Sequence, residues 1–277
     1  MLLRFEGVPS PVSFSGCEHL LPFLKPPVAS WPNEAWTGDP TGPALAVTRS
    51  PTGYRIVAGN ADSAESCEYA DDYEVIASFF AELYMAFIAA NPDLLCIHAA
   101  AMRWEGGLLV VPASGKAGKS TLTVHAAAAG ATVFTDDVLA VREHEGNALS
   151  FGVAPRLRLP LPANVTEGFH AFLRDREILG NGCGQYVALR PGEIARFGEA
   201  APIAAILLLD RVEAGPPALE AIGKSEVLRD LLGRNFTHSL DAETKLSRLL
   251  QLAKTGACYR LRYVDCESAI RLLREIA

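Results

Sequence analysis

The feature that most limits the folds open to this 277-residue chain is the run GGLLVVPASGKAGKSTLTVHAAAAG, residues 106 to 130. Leu108 to Val111 is an uninterrupted apolar stretch, the pattern of a short strand buried on both faces. Lys119 onward reads as a helix, with Gly130 as its stop. Between them, residues 113 to 120 fill the phosphate-loop pattern G-x-x-x-x-G-K-[ST] at every place but the first, where Ala113 stands for glycine. Each place has a physical task. Backbone N–H groups curl round a phosphate at a helix N-terminus, whose dipole favours anions. Gly118 lets the backbone turn and approach closely. Lys119 can reach β and γ oxygens, and the Ser120 hydroxyl can ligate Mg²⁺. The residues expected to hold a nucleotide are Ser114, Gly115, Lys116, Ala117, Gly118, Lys119, Ser120 and Thr121. A turn between strand and helix that holds no ligand is the competing reading.

The flanking pattern extends the same architecture. ATVFTDD reads as a buried strand ending in two carboxylates, AAILLLD as a central strand, and CYRLRYV as a half-buried one. KSEVLRDLLG, DAETKLSRLLQLAKTG and SAIRLLREI read as helices. The expected fold class is α/β: a P-loop core with a wound, mostly β-sheet flanked by helices, plus a small N-terminal β-rich module. Residues 1–93 form that module, ending in a helix, and 94–277 the catalytic domain. The module is rich in Pro and Gly up to about residue 70, with alternating stretches such as ALAVTRS and GYRIVAG. Its helix begins at the acids Asp71, Asp72 and Glu74 and ends before Pro92. PRLRLPLP is extended, because its prolines exclude a regular helix. ILGNGCGQYVALRPGE, with its glycines, reads as a mobile loop.

Charge and cysteine usage narrow the partners. Up to Leu95 there are 12 acids and 4 bases, so the front carries −8 and the remainder +1 of the net −7. An acidic front argues against nucleic acid, which is bound by neutralising phosphates. It suits a solubilising surface or a basic partner. The six cysteines form no C-x-x-C pair, so structural zinc is not expected and the thiols read as reduced core residues. The opening residues lack the apolar core of a secretory leader. Val75 to Ala90 is interrupted by Glu82 and short for a bilayer, so a buried helix is expected. These readings point to a cytoplasmic location with no membrane partner.

Asp136 and Asp137 end the strand after the loop helix, where strand ends point toward a bound phosphate. One can accept a proton from an attacking hydroxyl while the other holds magnesium, and a turn cap is the plainer alternative. Asp210, at the end of AAILLLD, competes as a magnesium-binding acid of an ATPase or serves as a turn former. His98 alone in an apolar run reads first as a core residue bonded to backbone. Arg156 and Arg158 share one face of an extended segment and can grip a phosphate or an acidic substrate, and Arg234 is a further cation.

The stretch from His98 to Val141 resembles the catalytic domain of HPr kinase/phosphorylase and the wider group of HPr-kinase-like serine kinases. The resemblance rests on an apolar segment carrying His98, a phosphate loop about fifteen residues later, a helix, and the strand GATVFTDD. It covers about 45 residues. It departs from the family loop at Ala113 and Lys116, and the segment tied to the family's phosphorylase reaction is not found. The resemblance implies an ATP- and Mg²⁺-dependent kinase acting on a serine-type hydroxyl of a protein, a peptide such as a natural-product precursor, or a small molecule. It places His98 near the transferring phosphate, Lys119 on the β and γ phosphates, Ser120 on magnesium, Asp136 as the base and Asp137 near the metal. It also makes a homo-oligomer reasonable. The alternative from another class is a nucleotide-binding regulator or scaffold with little catalysis, motivated by Ala113 and Lys116.

Overall fold

The computed structural model describes residues 1–38, 42–59, 67–104, 107–113, 117–142, 146–237 and 239–276. The chain is a mixed α/β protein that divides into two units, Met1–Pro92 and Asp93–Ala277.

The first unit contains β1 (Leu2–Phe5), β2 (Val12–Ser15), α1 (Leu21–Leu24), β3 (Asn33–Ala35), β4 (Leu45–Ser50), β5 (Gly53–Ala58), β6 (Cys67–Tyr69) and α2 (Asp72–Ala90). The strands lie in the order β3-β1-β2-β4-β5-β6, with β2 and β4 parallel. Asp71 caps α2 by accepting from the Glu74 N–H at 2.8 Å, and Glu74 accepts from the Ala70 N–H at 3.0 Å. These two bonds satisfy N–H groups that a helix start leaves open. By length and composition α2 could cross a membrane. Here it packs on β4, β5 and β6, and its Val75, Ile76, Phe79 and Leu83 are buried. Phe79 lies against Phe14, with ring centroids 5.5 Å apart. It is the core helix of this unit.

The second unit contains β7 (Leu95–Trp104), β8 (Gly107–Pro112), α3 (Lys119–Ala128), β9 (Thr132–Thr135), β10 (Val138–Val141), β11 (Asn147–Leu149), β12 (Arg156–Arg158), α4 (Glu167–Leu173), β13 (Glu177–Asn181), β14 (Gly184–Val187), β15 (Ala200–Arg211), β16 (Ala218–Ala221), α5 (Lys224–Arg234), α6 (Ala242–Thr255), β17 (Ala257–Tyr263) and α7 (Cys266–Arg274). Its large sheet runs β11-β10-β7-β8-β15-β17-β16, with β9 also pairing β7 and β11 also reaching β15. β8, β15 and β17 are mutually parallel neighbours.

The apolar run in β8 divides between two cores. Leu109 and Val111 join Leu122, Ala126, Leu261, Ile270 and Leu273 on the face covered by α3 and α7. Leu108 and Val110 join Val227, Leu231, Leu249 and Leu252 on the face covered by α5 and α6. A strand buried on both faces has no polar side, which is why its sequence does not alternate. Each such side chain contributes about 1.5–3 kcal/mol of burial.

Two expectations need correction. Asp136 and Asp137 are not strand residues. They form the bend between β9 and β10, so one turns inward and the other outward without strand alternation. The glycine-containing segment is not a loop but the hairpin β13–β14, which with β12 forms a second sheet in the order β12-β14-β13. The Asn181 side-chain oxygen accepts from the N–H groups of Cys183 (2.8 Å) and Gly184 (3.2 Å), so asparagine builds the turn. Leu157, Phe169, Leu173 and Val187 bury this small sheet and α4 against Val124 of α3.

Candidate active site

Lys119 opens α3 yet is only 6% exposed. A buried amine needs partners. Its Nζ donates to the Ala113 carbonyl at 3.0 Å and lies 3.0 Å from His98 Nε2. The first place of the loop pattern therefore holds the lysine through its carbonyl. The Ala113 methyl is accommodated, since the residue is buried. Burial lowers the Lys119 pKa, and Arg158 and Arg234 add to that, while Asp137 and Asp136 pull the other way.

The same His98 nitrogen lies 2.8 Å from Asp137 Oδ1. In a neutral imidazole one nitrogen either donates or accepts. His98 Nε2 can therefore serve Lys119 or Asp137, but not both at once. His98 sits in β7 opposite Val138 of β10, and the Ala99 N–H donates to the Asp137 carbonyl at 3.1 Å. Sheet pairing thus delivers the histidine to the carboxylate. His98 bonds to side chains here, which corrects its reading as a core histidine held by backbone.

The two adjacent acids have opposite surroundings. Asp136 is buried, and its Oδ2 accepts the Arg156 N–H at 3.0 Å. Burial and the neighbouring Asp137 charge push its pKa up to about 6, against the backbone bond and charge of Arg156 and a hydrogen bond from Ser120. Asp137 is half exposed. Burial acts to raise it, but the His98 hydrogen bond and charge, with Lys119 and Arg156, hold it below the usual carboxylate range.

Gly118 is the N-cap of α3, with φ +93° and no side chain capping the helix. The first-turn N–H groups are thus left for another acceptor. Ala117 lies in the bend before it, and Ser120 and Thr121 lie in the first turn of α3. Ser114, Gly115 and Lys116 lie outside the described residues. Sequence reading missed Tyr263. Its hydroxyl lies 3.2 Å from where a Cβ on Gly118 would be, and it has no hydrogen-bond partner among the described residues. Nothing in the residues around position 263 signals this. Only the pairing of β17 beside β15 brings it there.

The charge of Arg156 bears on Asp136 and Asp137, and those of Arg158 and Arg234 bear on Lys119. Arg234 pairs with Asp230 at 3.1 Å on α5. Its segment is pinned beside His98, because the Thr237 hydroxyl accepts from Cys96 N–H at 2.7 Å and Phe236 N–H donates to the Cys96 carbonyl. Asp210 stands directly across from Arg262 of β17 and accepts from its Nε at 3.0 Å, a cross-strand ion pair. Among the described residues, no three His, Cys, Asp or Glu side chains are grouped to hold a metal by themselves.

No family model and no curated protein matches the chain. Among solved structures, it has a likeness to the HPr(Ser) kinase/phosphatase from Coxiella burnetii, 14% identical over 65% of this chain and 94% of that one, with a TM-score of 0.31. A likeness this weak leaves the functional reading to the geometry.

Proposed function

We propose that the chain is a phosphotransferase that moves the γ-phosphoryl group of ATP to a serine-type hydroxyl. One observation carries this reading: the buried Lys119 and the part-exposed His98 and Asp137 are joined in a chain of contacts at the uncapped start of α3, with Asp136 beside Ser120. The uncapped helix start and Lys119 would take the β and γ phosphates. Ser120 and Asp136 would hold Mg²⁺, which supplies charge neutralisation to the phosphates when bound.

The geometry supports a division of labour opposite to the one the family resemblance implies. Asp136 is buried, tied to the Arg156 N–H and beside Ser120, which suits a metal-side group. Asp137 is half exposed and oriented by His98, which leaves it open to an acceptor hydroxyl; its lowered pKa makes it a weak base, which a loose transition state tolerates. In the transfer, the acceptor oxygen forms a bond to the γ phosphorus. The bond from that phosphorus to the bridging oxygen breaks, and its electron pair leaves on ADP. The hydroxyl proton passes to Asp137. Positioning and charge neutralisation do most of the work in such a step.

The test uses γ-labelled ATP and a panel of hydroxyl acceptors. Asp137→Asn is expected to lower transfer about 10²–10⁴-fold while nucleotide binding persists. Asp136→Asn is expected instead to raise the magnesium concentration needed. Wild-type transfer by Asp137→Asn would remove Asp137 as the base. Tight nucleotide binding with no transfer to any acceptor would favour a regulator.

A further inference from the structure

β12 is an edge strand with a known parity. It pairs antiparallel with β14 in the register Arg156↔Tyr186, Leu157↔Gln185, Arg158↔Gly184. The Val187 N–H donates to the Pro155 carbonyl at 3.0 Å, and the Leu159 N–H to the Cys183 carbonyl at 2.9 Å. Bonded positions alternate in an antiparallel ladder. Residues 155, 157 and 159 therefore turn their backbone toward β14, and 156 and 158 turn theirs away. The Arg156 N–H accordingly goes to Asp136. The N–H and carbonyl of Arg158 face the side on which, among the described residues, no strand pairs with β12.

The side chains follow the same alternation. Leu157 is fully buried against Val124, Phe169, Leu173 and Val187. Arg156 and Arg158 must then share the opposite face. Arg158 is exposed, and its charge reaches Lys119. Arg156 reaches both aspartates. One buried leucine thus places two guanidinium groups on one face of β12, from which their charges reach the reacting groups, and turns the outward backbone edge to the side of Asp136.

We propose that the free edge of β12 docks an extended, acidic peptide segment that carries the acceptor hydroxyl. This rests on the phosphotransferase reading and gives its substrate class. A peptide laid along an open edge gains main-chain bonds, and its alternate side chains give specificity. Asp136 already occupies the rung at Arg156, so pairing starts at Arg158. Two residues along a strand span roughly 7 Å, which brings the peptide's neighbouring residues alongside the carboxylates. Pro155 and Pro160 keep β12 short. With so few rungs, charge has to supply much of the affinity, and both arginines lie on the face that an acidic segment would meet. Guarding an edge against aggregation needs charge on it. It does not need that charge to face the aspartates.

The experiment measures fluorescence anisotropy of a labelled octapeptide, one serine flanked by glutamates, on the full chain with MgADP. A lysine-flanked counterpart is the comparison. The acidic peptide is expected to bind at least tenfold tighter. Methylating the one peptide nitrogen paired with the Arg158 carbonyl should weaken binding, and methylating either neighbouring nitrogen should not. Arg158→Glu should reverse the charge preference. Arg158→Pro should weaken binding more than Arg158→Ala, because proline also removes the outward N–H while sparing the ladder to β14. Equal binding of the two peptides, or N-methyl effects without parity, overturns the docking. The peptide tests on the unaltered protein decide even if a variant does not fold. Acidic-peptide binding with the expected parity, but no transfer from γ-labelled ATP, leaves the docking and removes the kinase reading. Transfer to other hydroxyls while the peptides are ignored does the reverse.

Discussion

The proposed phosphate end and the proposed acceptor end of the site rest on different foundations. Lys119 and His98 come from α3 and β7, whose neighbours fill a core on each face of the large sheet. Arg156 and Arg158 come from a three-residue strand held down by Leu157 and a small cluster. The first foundation suits groups that must meet at hydrogen-bond distance. The second suits a surface that accepts varied partners, because its burial is smaller and, among the described residues, no strand pairs with its outer edge.

The largest expected effect separates these foundations directly. Leu122 and Leu157 are both fully buried. Leu122→Ala, in the large core, should cost about 3–5 kcal/mol, and Leu157→Ala about 2–3 kcal/mol because the small sheet can close over the gap. Urea melts give both numbers. Leu157→Ala should also weaken the acidic peptide while leaving nucleotide affinity in place. A loss of both would mean the two ends are one cooperative unit.

The next effect lies at the junction. Asp136 binds its proton more tightly in the folded chain, with a pKa raised from 3.8 to about 6. Its contribution to stability is therefore full below 3.8 and lost as pH rises through about 6. Asp136→Asn keeps an oxygen for the Arg156 N–H but has nothing to titrate. It should change little at pH 3.5 and stabilise the nucleotide-free chain by on the order of 2–3 kcal/mol above pH 7. Thermal melts across that range check the sign, and a flat difference would mean that Asp136 is not held as buried acid.

Gly118→Ala should cost about 1–2 kcal/mol through its left-handed backbone, with added crowding from the Tyr263 hydroxyl. Tyr263→Phe in the same chain should recover only the crowding. The smallest effect is Asp210→Ala. Its pair with Arg262 is over a third exposed, so about 0–1 kcal/mol is at stake, with transfer unchanged. A dead enzyme would return Asp210 to the metal site.

The same contrast decides what could be read from the residues. The apolar run of β8 declares a strand buried on both faces, and Gly118, Lys119 and Ser120 stand where a strand turns into a helix. The acids at 136 and 137 were visible as a pair. Their division was not, because the Arg156 N–H that holds one comes from twenty residues away. The partnership of His98 depends on pairing with Val138, forty positions on, which leaves no local trace. The β13–β14 hairpin was hidden because its glycines look like loop, while Asn181 supplies the turn through bonds a pattern does not display.

The shared nitrogen of His98 has a consequence for timing. While Lys119 leans on it, the ring is engaged on the amine side and its link to Asp137 is in competition. A phosphate that draws the amine away would release the ring to the carboxylate. Arrival of the donor and orientation of the carboxylate would then be one event. Such an interlock would leave Asp137 without its orienting partner while there is no phosphate to transfer.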